Sequence, residues 1–208
     1  MKPEQTEIKL LIFDLGGVVF THSFDRALEI WAQRSGADFE KLKKVYAHDE
    51  AYALHEIGEI SIEEYKAHVC DELEISLPLD AFVEGWNAIF LDEIPGVTEI
   101  LQRLGQDYQI AALSNTNRTH CARMRQKSGA PLEQFHRVYY SHEISARKPQ
   151  AKAYLRVLSD FGALASEAVF LDDLKVNIEG AQAVGLRTIH VTDFTAMVSG
   201  LKSLGLLP

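Results

Sequence analysis

Lys9-Leu10-Leu11-Ile12-Phe13-Asp14-Leu15-Gly16-Gly17-Val18-Val19 is an apolar run interrupted by one carboxylate and two glycines. A short apolar stretch bounded by glycine reads as a strand buried in an α/β sheet. Ligands of such sheets bind just beyond the carboxyl ends of the strands, so the carboxylate closing this run faces a ligand and not a core. Asp14 is therefore a candidate nucleophile or metal ligand.

Working outward, four further segments rich in β-branched or aromatic residues read as strands: Gln109 to Ser114, Arg137 to Ser141, Ala168 to Asp172 and Arg187 to Thr192, after a first one from Ile8 to Asp14. Helical patterning separates them, from Val97 to Gly105, Arg118 to Ser128, Ala151 to Phe161 and Ile178 to Val184, with Gly162 and Gly185 placed as C-terminal stops. This alternation predicts an α/β fold with a doubly wound parallel sheet. The interval between the first two strands is far longer than a crossover needs. From Phe24 to Phe90 it shows only helical periods, with Ser61-Ile62-Glu63-Glu64 as a capping box and Pro95-Gly96 marking the return to the sheet. The expected organisation is a core of residues 1–20 and 92–208 with an all-helical insertion, the cap, over residues 21–91.

The chain has 208 residues, 47% of them apolar, and no stretch long enough to span a bilayer, so it reads as a soluble protein with no membrane partner. The segment from Met1 to Glu7 is polar and acidic without an export signal, which makes the cytoplasm the expected location. Cys70 and Cys121, both in helical patterning, are expected to be reduced core thiols. A formal charge of −9 with scattered Lys and Arg opposes nucleic-acid binding, which needs a basic stripe to displace counterions. Any phosphate ligand must then be small and metal-escorted.

Four polar features fall at or just after predicted strand ends: Asp14, then Ser114-Asn115, then Lys148 in Arg147-Lys148-Pro149, then Asp172-Asp173. In this order, with a helical insertion after the first, they resemble the four motifs of the haloacid dehalogenase superfamily, a large group of mostly Mg²⁺-dependent phosphatases. The resemblance spans the whole chain. It implies a Rossmann-like core whose first strand is central, between the second and the fourth, so that the motif-bearing ends converge. It further implies that Asp14 attacks phosphorus to give an aspartyl-phosphate, one difficult displacement becoming two easier ones. Mg²⁺ is the implied cofactor: three carboxylates at Asp14, Asp172 and Asp173 would repel a phosphate dianion without a hard cation, and oxygen-only donors suit this ion. By the same resemblance Asp173 binds the metal directly and Asp172 through water, with Asp14 and the backbone carbonyl of Gly16 completing the set. The Ser114 hydroxyl and the adjacent backbone N–H groups, with Asn115, would hold the phosphoryl group, Lys148 would balance its charge, and Asn177 would steady the acidic loop.

Position 16 departs from the pattern. Most superfamily phosphatases carry there an Asp that protonates the leaving oxygen, and Gly16 cannot. Such a group is worth about 10² to 10⁴ in rate, whereas positioning and charge stabilisation dominate phosphoryl transfer. The loss matters least for a leaving group that needs little protonation, such as an anomeric hydroxyl. The chain also resembles a branch written Asp-Leu-Gly-Asn/Gly-Val that includes phosphatases of α-glucose 1-phosphate, so a sugar 1-phosphate is the favoured substrate. His22 is a candidate replacement acid, since histidine suits proton transfer near neutrality, and its blander reading is a linker residue beside Asp25 as a helix cap. His55 and Glu56, between two cap helices, are candidate substrate-binding residues. Trp31, Phe82, Trp86 and Phe90 recur at helical spacing and are expected to form the cap's own core.

Several alternatives compete. A 2-haloacid dehalogenase uses the same nucleophile on carbon, but without metal, and Asp172-Asp173 would then repel its carboxylate substrate. A catalytically weak metal- or phosphate-binding regulatory protein would keep the acidic site while tolerating Gly16. A receiver domain has its acidic pair first and no insertion. The eight histidines show no zinc-ligand spacing and are expected to be surface or cap residues. Neither the spaced triple glycine nor the Walker Lys-Ser/Thr follows Gly16-Gly17, which removes nucleotide-binding loops. The expected partner is a small phosphorylated metabolite, with the chain a monomer or homodimer.

Overall fold

Strand β1 (Leu10–Phe13) forms because four consecutive apolar side chains alternate between two buried faces. Leu11 and Phe13 enter one hydrophobic cluster, Leu10 and Ile12 another. Each contributes about 1.5–3 kcal/mol by leaving water, which makes this strand the keel of the sheet. The computed structural model describes residues 7–127 and 129–208. The first six residues of the polar N-terminal segment, and Ser128 at the end of one predicted helix, lie outside the described residues.

Beyond β1 the chain turns through Gly16-Gly17 into β2 (Phe20–His22) and then into five helices: α1 (Phe24–Ser35), α2 (Phe39–Val45), α3 (Glu50–Glu56), α4 (Ile62–Glu72) and α5 (Leu79–Asn87). It returns by β3 (Phe90–Glu93), which pairs antiparallel with β2. These two strands were not expected, and Phe90 belongs to β3 and not to a helical stripe. Strands of three and four residues that pair across about seventy positions leave no local period to read. Asp25 is likewise not a cap: Ser23 occupies the N-cap of α1, while Asp25 sits in the first turn and pairs with Lys43 at 2.6 Å.

The five helices enclose a core of their own. Trp31, Phe82 and Trp86 are fully buried there, Trp31 stacks on Phe82 with centroids 4.6 Å apart, and its indole N–H donates to the Phe82 carbonyl at 2.9 Å. Ser61 and Glu64 form the predicted capping box at the start of α4.

From β3 the chain alternates helix and strand: α6 (Val97–Leu104), β4 (Gln109–Ser114), α7 (Arg118–Lys127), α8 (Gly129–Leu132), β5 (Arg137–Tyr140), α9 (Ser141–Ile144), α10 (Ala151–Phe161), β6 (Ala168–Asp172), α11 (Lys175–Ala183), β7 (Arg187–His190) and α12 (Phe194–Ser203). The sheet runs β5-β4-β1-β6-β7, and every recorded pairing in it is parallel. Clusters on both faces cover it, as a doubly wound sheet requires. Helix α11 begins three residues before the expected Ile178, because the one apolar residue of its first turn, Val176, is exposed and falls outside the buried stripe of Ile178 and Ala181. Cys70 and Cys121 are buried free thiols. No helix among the described residues is long and apolar enough to cross a membrane.

Candidate active site

With β1 flanked by β4 and β6, the carboxyl ends of three neighbouring strands open into one cavity of about 270 Å³ beneath the helices of the insertion. Asp14 stands at its floor. The backbone N–H of Leu15 donates to Asp14 Oδ1 at 2.6 Å and Lys148 Nζ lies 2.8 Å from the same oxygen. Lys148 also reaches Asp172 Oδ2 at 2.7 Å, so one buried ammonium joins two carboxylates from adjacent strands. Asp172 is held further by the Leu174 N–H and by Asn177 Nδ2, at 2.8 Å and 3.0 Å to Oδ1. Asp173 faces Gly17: a Cβ on that glycine would fall 2.3 Å from Asp173 Oδ2, and Gly17 has φ +74°. Only glycine serves at that turn.

The electrostatics follow from crowding. Burial first, then the like charges of Asp172 and Asp173, push the Asp14 carboxyl well above the usual carboxylate range against the pull of Lys148. Asp173 rises for the same two reasons, burial and Asp172. Burial alone would lower Lys148, but its two carboxylate partners outweigh it and hold the ammonium above the ordinary lysine value. Asp14, Asp172 and Asp173 bring ligand oxygens within 4.8 Å of one another. An oxygen-only set with more negative charge than Lys148 can balance fits a hard divalent cation, and Mg²⁺ is the ion to which this donor chemistry and a phosphate ligand point.

Other residues fall differently. Ser114 is buried and lines the cavity. Asn115 lines it too, but its side-chain amide is committed to the main chain of Lys148: Nδ2 donates to the Lys148 carbonyl at 2.9 Å and Oδ1 accepts the Lys148 N–H at 2.8 Å. It positions the lysine and leaves its amide little to offer a ligand. His22, at the end of β2, lies with Nδ1 3.3 Å from where a Cβ on Gly16 would sit, because Gly17 N–H bonds the Phe20 carbonyl and folds β2 back over the turn. His55 does not line this cavity. Its ring stacks on Tyr65 at 4.7 Å inside the insertion, since consecutive residues of α3 face different sides of the helix. Glu56 does line it, bound to the Arg147 guanidinium at 2.7 Å. The Ser141 hydroxyl donates to the Glu56 carbonyl at 2.6 Å and so ties α3 to the core.

Arg147, Tyr52, His48, Phe24 and His120 also line the cavity. Arg147 adjoined the predicted Lys148, and Tyr52 lies one helical turn before Glu56; the others carried no local signal. His120 is buried on α7, contrary to the surface or cap position expected of the histidines. Away from the cavity, Cys121, His142 and Glu143 also bring ligand-type atoms within 4.8 Å, a grouping that sequence spacing does not show.

The family model for haloacid dehalogenase-like hydrolases matches residues 12–191. D-Ribitol-5-phosphate phosphatase of Bacteroides thetaiotaomicron is 24% identical over 88% of this chain and 91% of its own length. A sesquiterpene phosphatase of Aspergillus oryzae is 24% identical over 96% and 97%. A haloacid dehalogenase family enzyme of Bacteroides thetaiotaomicron, solved with magnesium and inorganic phosphate, superposes with a TM-score of 0.77 over 91% of this chain and 98% of that one at 24% identity.

Proposed function

This chain belongs to the haloacid dehalogenase-like hydrolases, and from that premise we propose that it is a Mg²⁺-dependent phosphatase that hydrolyses a small phosphorylated metabolite through an aspartyl-phosphate on Asp14. The observation that carries the reading is the Lys148 ammonium held between Asp14 and Asp172 at 2.8 and 2.7 Å, at the floor of a cavity into which a third carboxylate, Asp173, also projects. The curated relatives act on phosphate esters by name, which supports it.

Asp14, Asp172 and Asp173, with the Gly16 carbonyl, are the groups that would hold the cation. Bound there, Mg²⁺ would offset the carboxylates and draw charge from the phosphoryl oxygens. Both recorded donors to Asp14 go to Oδ1, which leaves Oδ2 as the oxygen that attacks phosphorus. The bond from phosphorus to the ester oxygen breaks, and water later cleaves the aspartyl-phosphate. Lys148 draws the Asp14 carboxyl toward its ionised form, against the burial and neighbouring carboxylates that raise it, and balances charge as it spreads over the phosphoryl group, which the Ser114 hydroxyl holds. Asn177 and Asn115 are positioning residues, the first for Asp172 and the second for Lys148.

Gly16 offers no acid, and His22 occupies its space, so His22 is the group we assign to the leaving oxygen. A leaving group that needs little protonation depends least on this substitute acid, and an anomeric sugar 1-phosphate is the substrate this reading favours. Residues 21–91 act as a cap that closes the cavity and excludes water. The dehalogenase alternative is opposed by Asp172 and Asp173, which would face the substrate's carboxylate.

Phosphate release from sugar 1-phosphates, sugar 6-phosphates and aryl phosphates, with Mg²⁺ or with chelator and beside an Asp14→Asn control, tests the reading. Metal-dependent release that vanishes in the control is expected. Silence across the panel, or chloride release from 2-chloro acids, would overturn it.

A further inference from the structure

Among the described residues lining the cavity, two side chains carry a fixed positive charge, Lys148 and Arg147, and both are already paired. Lys148 is shared by Asp14 and Asp172. Arg147 gives Nε and Nη2 to one oxygen of Glu56, at 2.8 and 2.7 Å. Glu56 is 2% exposed, so the pair is held within the wall. Four carboxylates, Asp14, Asp172, Asp173 and Glu56, thus meet two cations, and one divalent metal ion brings the sum to zero. A phosphate dianion then makes the loaded site negative. A second anion on the substrate would be repelled with no unpaired cation to receive it.

Apart from these groups and His22, assigned above to the leaving oxygen, the described residues of the wall carry no fixed charge, and much of it is aromatic. The His48 and Tyr52 rings stack at 4.2 Å, and Phe24 meets His48 edge-on at 4.4 Å. Burial, and then Arg147, lower His48 and keep it neutral.

We propose, resting on the phosphatase reading, that the site selects phosphate monoesters whose leaving body is uncharged and lies against the His48–Tyr52 stack, and that Glu56, by neutralising Arg147, excludes substrates bearing a second anionic group. The geometry that carries this is the buried Glu56–Arg147 pair at the cavity wall.

The test uses matched pairs: phenyl phosphate against 4-carboxyphenyl phosphate, and glucose 1-phosphate against glucuronic acid 1-phosphate. Expected for the unmodified enzyme is a kcat/KM about tenfold or more in favour of each neutral member, carried by KM and shrinking as salt screens the site. In Glu56→Gln, which keeps shape but removes the charge that neutralises Arg147, the gap narrows because KM falls for the anionic member. A structural defect would move both members alike. Equal use of the pairs by the unmodified enzyme, or preference for the anionic members, overturns the proposal even if the variant fails to fold. An equal shift of both members in Glu56→Gln removes Glu56 from it. No release from any of the four compounds would overturn the phosphatase reading, and this proposal with it.

Discussion

His22 Nδ1 stands 3.3 Å from the point a Cβ on Gly16 would occupy, so the imidazole fills the room left by the missing side chain two residues after the proposed nucleophile. If His22 serves the leaving oxygen, His22→Asn should lower kcat on alkyl phosphates by about 10² or more and on aryl or anomeric phosphates far less. Adding Gly16→Asp to that variant should recover alkyl phosphate hydrolysis, because Gly16 lies outside the left-handed region and the smaller Asn leaves room. A uniform loss across leaving groups in His22→Asn would reduce the histidine to a space-filler.

Lys148 links the proposed nucleophile to the acidic loop. Lys148→Met leaves Asp14 and Asp172 buried without their counter-ion, a loss of about 3–5 kcal/mol in metal-free protein. Turnover should fall by about 10³ or more, as for removal of a charge that stabilises phosphoryl transfer. Because added Mg²⁺ takes over part of the missing charge, it should raise the variant's Tm more than that of the unmodified protein. Thermal scans with and without Mg²⁺ measure this, and equal metal-induced shifts would contradict the charge argument.

Asp14, Ser114, Lys148 and Asp172-Asp173 could be picked out because each ends or follows a segment whose own period marks a strand, and a parallel sheet brings such ends to one side. That reasoning is local in the chain and needs only the alternation of elements. The remainder of the cavity is not local. Arg147 meets Glu56 across 91 positions, and β2 pairs with β3 across about seventy, so neither leaves a trace in any short window. Which of His55 and Glu56 turns toward the sheet depends on the rotation of α3 against the core, which its own pattern does not encode. Asn115 shows a further limit: its position at a strand end was legible, but that its amide would be taken up by the Lys148 main chain was not.

Gly17 offers a test of the metal reading. A Cβ there would press on Asp173 Oδ2 at 2.3 Å, whereas at Gly162, also left-handed with φ +61°, a Cβ would meet nothing within 4 Å. Both alanine variants carry a backbone cost of about 1–2 kcal/mol. Only Gly17→Ala should in addition raise the Mg²⁺ concentration for half-maximal activity, by about 10–100-fold, since it displaces a carboxylate that would hold the ion. Metal titrations of the two variants decide it, and matching curves would separate Asp173 from metal binding.

His120 ties the core helix α7 to the insertion and should make that junction acid-sensitive. Its Nε2–H donates to the Trp86 carbonyl at 2.8 Å while Nδ1 accepts from Asn117 Nδ2 at 3.0 Å, a pattern that requires the neutral ring. Burial pushes its pKa down to about 3, below the 6.5 of an unperturbed histidine. The unfolded chain therefore binds this proton first on acidification. The stabilisation is present in full above pH 6.5 and is lost as pH falls toward 3, with a slope approaching about 1.4 kcal/mol per pH unit. His120→Gln keeps one donor and one acceptor but cannot be protonated, so its stability should decline less over this range. Subtracting the two denaturation profiles removes the contributions of other groups, including Asp14, whose raised pKa acts in the opposite direction. A difference that stays flat between pH 6.5 and 4 would show that the His120 ring is already protonated in the folded protein.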